Sequence, residues 1–222
     1  MSLLSALLDL IFPAKCPFCG RVLDRPGICD TCRGELPWTE GADALRRGPG
    51  GFLCAAPLWY QGLAREGLHR FKFRGMSSAA APLGELIAGC AAEHFSGAFD
   101  TVTWVPVSPR RLRQRGYDQA QLLAQATAQA LGTEAVSLLA KTGHNAPQSS
   151  LTQGSQRRSN VAGVYTVPQP EAVAGRRVLV IDDILTTGAT LEEAARTLRA
   201  AGAAQVVAAV LARTPGKQDI AP

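Results

Sequence analysis

No stretch of this 222-residue chain approaches the roughly 18 consecutive apolar residues that a membrane-spanning helix needs, so no span is expected. The opening Met1 to Pro13 is leucine-rich but holds no positively charged n-region and no small-residue cleavage site, the marks of a secretory signal. Its Leu3, Leu4, Leu7, Leu8, Ile11 and Phe12 recur at helical spacing and read as a docking helix, with contact to a membrane surface as the alternative. Without an export signal the expected compartment is the cytoplasm, where thiols stay reduced. Acidic residues are in short supply: 18 Asp and Glu against 23 Lys and Arg give a formal charge of +5 and a pI of about 9.1. That balance favours anionic ligands such as phosphates and permits nucleic acid. What remains, 46% hydrophobic and 18% charged, describes a soluble globular protein with room for one α/β domain and a small appendage.

The chain is organised around Val178-Leu-Val-Ile-Asp-Asp-Ile-Leu-Thr-Thr-Gly-Ala-Thr190. Val178 to Ile181 suit a strand buried on both faces. Asp182 and Asp183 then fall at its carboxyl end, where open α/β sheets bind ligands. Thr186, Thr187, Gly188, Ala189 and Thr190 form a small, hydroxyl-rich turn whose backbone amides could cradle a phosphate. Thr190 and Glu193 have the T-x-x-E spacing of a capping box, which predicts that a helix begins there. No Gly-Lys-Ser/Thr follows, so this is not a Walker loop. Two carboxylates beside a phosphate cradle would repel a bare phosphate. They fit a ligand that also carries hydroxyls or a cation, as a ribose 5-phosphate does. The bland alternative is a strand-to-helix turn with two solvated aspartates.

Cys16-Pro-Phe-Cys19 and Cys29-Asp-Thr-Cys32 are two C-x2-C knuckles. Four thiolates so spaced can close a tetrahedral Zn²⁺ site with no open position, which makes the zinc structural rather than catalytic; disulfides are the alternative. Such a site lets a short segment fold with almost no core. Cys54 and Cys90 lie outside the pattern, Cys90 on the apolar face of a helix with Leu83, Leu86 and Ile87.

Residues 1–36 thus form a helix and zinc segment, and 37–51, rich in Gly, Pro and charge, read as a linker. Residues 52–213 form the main domain and 214–222 a loose tail. Within the domain, Leu53 to Tyr60 reads as a strand, Gln61 to Phe73 and Pro82 to Phe95 as helices, and Asp100 to Val107 as a strand. The last runs into Pro106-Val-Ser-Pro-Arg-Arg, a Pro-bounded turn whose Ser108, Arg110 and Arg111 are candidates for a second anion site. Lys72 either reaches the same ligand or solvates a helix end. Residues 141–160 are aperiodic, as a lid would be. Helices over 119–131 and 191–201 and strands over 135–140, 161–167 and 205–211 complete a mostly parallel sheet covered on both faces.

The Asp-Asp and Thr-Gly-x-Thr pattern resembles the phosphoribosyl pyrophosphate (PRPP) loop of type I phosphoribosyltransferases. With the knuckles, Lys-Phe-Arg-Gly at 72–75 and Arg-Gly-Tyr-Asp-Gln-Ala at 115–120, the chain looks like the ComF (competence protein F) family, which includes the GntX-like proteins. The resemblance implies a type I phosphoribosyltransferase fold with a zinc-ribbon-like N-terminal segment. It implies that Asp182 and Asp183 bind the ribose hydroxyls and 186–190 the 5-phosphate. Ser108, Arg110, Arg111 and Lys72 would bind the pyrophosphate, and Mg²⁺ would accompany PRPP. It also implies a link to natural competence, with imported single-stranded DNA and a helicase as partners. Many family members carry His where Ser108 stands and Asn where Asp118 stands. Thr186 replaces the aspartate that helps protonate the base in hypoxanthine-guanine enzymes, which disfavours that activity. No side chain declares itself a general base. The readings left open are an active transferase on an unidentified acceptor, including nucleotide salvage, a non-catalytic PRPP sensor, and a DNA-handling factor. Weak, salt-sensitive DNA binding would use Arg70, Lys72, Arg74, Arg157 and Arg158, with Phe71, Phe73 and Tyr117 as stacking aromatics.

Overall fold

The computed structural model describes residues 13–73, 76–142 and 163–215. The expected N-terminal helix, most of the 141–160 lid, Arg74, Arg157, Arg158 and the tail after 215 lie outside the described residues.

Two nine-residue strands form the centre: β7 (Arg177–Leu185) and β8 (Gln205–Arg213), parallel and paired from Arg177 with Gln205 to Leu185 with Arg213. Runs of Val, Ile, Leu and Ala suit strands with no solvent face. β4 (Thr101–Trp104) lies parallel to β7 on the other side. β2 (Leu53–Ala55) and β3 (Leu58–Trp59) both pair in parallel with β8, and β1 (Leu45–Arg47) closes the edge antiparallel to β2. The single strand expected over 53–60 is broken at Ala56 and Pro57, since proline brings no N–H to a ladder. The expected linker at 37–51 instead carries β1 and belongs to the sheet. Thr214 is not loose; its N–H continues the ladder to the Leu185 carbonyl at 2.9 Å.

Side chains alternate along the central strands. Leu179, Ile181, Val207 and Ala209 face one apolar cluster, and Val178, Val180, Val206 and Ala208 face another. The first is covered by α2 (Gly62–Phe73), α3 (Ala80–Phe95) and α5 (Gln119–Ala130), with Cys90 buried among them. The second is covered by α6 (Ala189–Ala200) and by the hairpin of β5 (Ala140–Lys141) and β6 (Tyr165–Thr166). The cysteine segment, with α1 (Asp30–Glu35), joins the first cluster through Cys16, Phe18, Ile28 and Leu36. It docks on α2 at Gly67, where an added Cβ would lie 2.5 Å from the Phe18 ring.

The arginine-bearing turn is a helix, α4 (Pro109–Arg115). Ser108 caps it by accepting from the Arg111 N–H at 3.3 Å, and Gly116 ends it at φ 80°. The expected capping box does not form. α6 follows Gly188, and Glu193, almost fully buried, accepts from the Gly163 N–H at 2.6 Å and from Arg196 at 2.7 and 2.8 Å. With those donors within reach, Glu193 has no call to fold back on its own helix start.

Candidate functional site

β7 runs on through the acidic pair to Leu185 rather than ending at Ile181. Because Trp104 of β4 sits beside Ile181, the segment after β4 and the acidic pair lie together at the carboxyl-terminal end of the sheet. There Asp183 Oδ2 meets Lys72 Nζ at 2.7 Å, both side chains largely covered at 18% and 17% exposure. The Asp183 N–H donates to Asp182 Oδ1 at 2.8 Å. Burial, reinforced by the Asp183 charge, pushes the Asp182 carboxyl up to about 8, against the pull of that amide and of Lys72. The structure therefore brings Lys72 to the carboxylates and not to the lining of the arginine cleft.

That cleft holds about 400 Å³ and is lined by Ser108, Arg110, Arg111, Gln114 and Lys141. Lys141 was not expected there. Burial, and then the Arg111 charge, depresses its ammonium, while Asp182 and Asp118 support it. Its Nζ lies 5.4 Å above the ring of Tyr165, a buried residue whose phenol is pushed up by burial and then by Asp182. The signal for Lys141 was its place at the start of the aperiodic 141–160 segment, and Tyr165 falls in the strand expected over 161–167 just beyond it. Asp118 is inward and structural: it accepts from the N–H groups of Val107 at 2.9 Å and Gln121 at 3.2 Å, tying the β4 exit to the start of α5.

The turn from Thr186 to Thr190 pivots on Gly188 at φ 81°, a conformation that glycine adopts without strain. Thr187 Oγ1 accepts from the Ala189 N–H at 3.4 Å. The Thr186 carbonyl accepts from Arg46 Nη1 at 2.9 Å, a contact from β1 that no local pattern announced.

The four knuckle thiols lie within 4.8 Å of one another, with Cys19 and Cys29 Sγ 3.7 Å apart. Four sulfurs at about 2.3 Å from a tetrahedral Zn²⁺ are about 3.8 Å apart, so the donor set and spacing fit that ion. No cysteine is in a disulfide among the described residues. Burial raises the Cys16 thiol, yet the amides of Cys19, Cys29 and Phe18 outweigh it and bring the group to about 7.

Of the expected stacking aromatics, Phe71 is fully buried, and Tyr117 is half-buried with its hydroxyl donated to the Phe71 carbonyl. Phe73 is 58% exposed, with the His69 ring 4.9 Å and the Arg115 guanidinium 5.0 Å from its centroid. Arg70 pairs with Glu66 at 3.4 Å.

Residues 118–219 match the phosphoribosyl transferase domain family, and residues 7–42 match the double zinc ribbon domain family. The chain is 29% identical over 200 residues to competence protein ComFC of Bacillus subtilis (strain 168), covering 86% of this chain and 74% of that protein. It is 32% identical over 206 residues to DNA utilization protein YhgH of Salmonella typhimurium (strain LT2), covering 90% of this chain and 84% of that one. Among solved structures, the glutamine PRPP amidotransferase from B. subtilis is similar at 25% identity and a TM-score of 0.41, over 60% of this chain and 26% of that one. The chain thus spans about a quarter of that enzyme.

Proposed function

The chain belongs to the ComF (competence protein F) family, with a phosphoribosyltransferase-like α/β domain behind a zinc-ribbon-like segment, and from that membership we propose that it binds PRPP with Mg²⁺ as a phosphoribosyltransferase. The observation that carries this reading is the charge order across the carboxyl-terminal end of the sheet. The last residues of β7 hold a carboxylate pair, a hydroxyl-rich turn follows them, and a cationic cleft follows the neighbouring β4. PRPP presents the same sequence of groups, a 5-phosphate, a diol and a diphosphate.

In this reading Asp182 and Asp183 accept from the 2- and 3-hydroxyls, 186–190 hold the 5-phosphate, and Ser108, Arg110, Arg111 and Lys141 hold the diphosphate. Lys72 leaves Asp183 as the diol arrives and turns to the diphosphate. The hard oxygens of the acidic pair and of the ligand suit Mg²⁺, which would neutralise diphosphate charge when bound. The bond between C1 and the diphosphate oxygen breaks, pyrophosphate leaves with the electron pair, and the acceptor's nucleophile attacks C1. The protein's part is placement and stabilisation of the departing anion. Cys16, Cys19, Cys29 and Cys32 hold a structural Zn²⁺.

Calorimetry with PRPP and Mg²⁺ tests the site. Wild type should bind, and Asp183→Asn should bind about tenfold more weakly, one charged hydrogen bond having been lost. Absence of wild-type binding refutes the assignment. Pyrophosphate release with candidate acceptors separates a transferase from a sensor, which would bind and release none.

The relatives' names refer to competence and DNA utilization. A second reading, weak single-strand binding, is favoured by Phe73 set between His69 and Arg115, an exposed ring beside a cation. It places DNA contact on the outer face of α2, beside the PRPP pocket rather than within it.

A further inference from the structure

We propose that Arg46, on the edge strand β1, is a positioning residue that turns the 186–187 peptide so that the turn after β7 presents two successive N–H groups to a ligand phosphate. The inference rests on the reading of that turn as the 5-phosphate site. Past a break in the β7–β8 register at Asp183, the Leu185 carbonyl accepts from the Thr214 N–H at 2.9 Å on the β8 side. In a strand that simply continued, the next carbonyl would point the opposite way, towards β4. It does not. The Thr186 carbonyl accepts from Arg46 Nη1 at 2.9 Å, and the same nitrogen stands 3.5 Å from the Thr214 carbonyl. Both carbonyls are therefore drawn to the Thr214 side.

A trans peptide is planar, with the C=O of one residue and the N–H of the next antiparallel. Two successive carbonyls on one side put the N–H groups of Thr186 and Thr187 together on the other. Successive amides aimed the same way make an anion-binding concavity. Gly188 at φ 81° then lets the chain enter α6 directly behind them. Among the described residues Arg46 supplies the one charged donor to the reversed peptide, from a segment that is not among the described residues lining the cleft after β4.

Calorimetry on the full chain, with ribose 5-phosphate and inorganic pyrophosphate as separate probes in Mg²⁺, tests this. Wild type should bind both. Arg46→Gln should weaken ribose 5-phosphate about tenfold and leave pyrophosphate within about twofold. Arg46→Lys, which keeps a charged donor, should recover part of the loss, and thermal melts establish that each variant is folded. Unchanged ribose 5-phosphate binding in folded Arg46→Gln overturns the proposal alone. So does an equal loss of both probes, which would make Arg46 a general support of the edge. If Arg46→Gln does not fold, Arg46→Lys decides: selective weakening of ribose 5-phosphate supports the proposal, and wild-type or uniformly reduced binding overturns it. Wild type that binds neither probe removes the reading of the site itself, and this inference with it.

Discussion

Replacing Lys72 with methionine removes the ammonium 2.7 Å from Asp183 and keeps most of the aliphatic stem. Two unit charges at that separation attract by about 6 kcal/mol at an effective dielectric of about 20. Desolvation and the ordering of a flexible lysine offset most of it. At 17% and 18% exposure the pair lies between exposed pairs, which contribute about 0.2–1 kcal/mol, and buried ones, whose breakage costs about 3–5 kcal/mol. Lys72→Met should therefore lower stability by about 1–2 kcal/mol, or about 2–8 °C in Tm for a chain of this size. The deficit should grow as pH rises towards 8, because Asp182, held protonated up to about 8, then gains charge beside an Asp183 that has lost its counter-ion. Mg²⁺ should narrow it. Thermal melts at about pH 6 and about pH 8, with and without Mg²⁺, measure the effect, and a double-mutant cycle with Asp183→Asn isolates the pair. A coupling energy of zero, or a deficit independent of pH, would refute the reasoning.

Asp182 is raised from 3.8 to about 8, so across that window the folded state keeps a proton that the unfolded state has lost, and stability should fall as pH rises through it. Asp182→Asn should flatten this slope in denaturant titrations, and an unchanged slope contradicts it. Purified wild type should carry one zinc per chain. Cys29→Ser should lose it and loosen residues 13–36 before the sheet; elemental analysis finding no zinc in unchelated wild type sinks the assignment. Phe73→Ala should reduce single-stranded DNA binding measured by anisotropy at low salt, and that binding should drop steeply as salt is added. Binding that ignores Phe73 moves the contact elsewhere on the molecule.

Features written in consecutive residues were legible in the sequence. The β7 run with its acidic pair and turn, the two knuckles and the apolar β8 run all depend on nearest neighbours and all form, although β7 runs on to Leu185 and β8 to Arg213, past their expected ends. Ser108, Pro109 and Gly116 spell a cap, a first helical residue and a stop, but the arginines between them also read as an anion-binding turn, and that competing pattern hides α4. The phase of α2 was also readable: Ala64, Leu68 and Phe71 share its inner face, which leaves Phe73 as the ring turned outward. Arg46 and Lys141 are different. Arg46 acts on Thr186, 140 positions away, and Lys141 lines a cleft with Arg111, 30 positions away, and a periodicity argument has no access to neighbours that distant. The Thr190 and Glu193 spacing failed for the same reason, since the donors to Glu193 include Gly163, 30 residues upstream.

The seat of Phe18 on Gly67 bears on how this protein can be divided. Two separate families match its two ends, which suggests parts that could be cut, swapped or fused. Yet Cys16, Phe18, Ile28 and Leu36 share one apolar cluster with Leu68, Phe71 and Leu83, and the helix that receives them also carries Lys72 to the acidic pair. A truncation before residue 40 would strip the cover from α2 and unsettle the element that delivers the counter-ion. A graft of the phosphoribosyltransferase-like half alone would inherit a sticky helix face, so any chimera should keep the cysteine segment and α2 as one inherited piece.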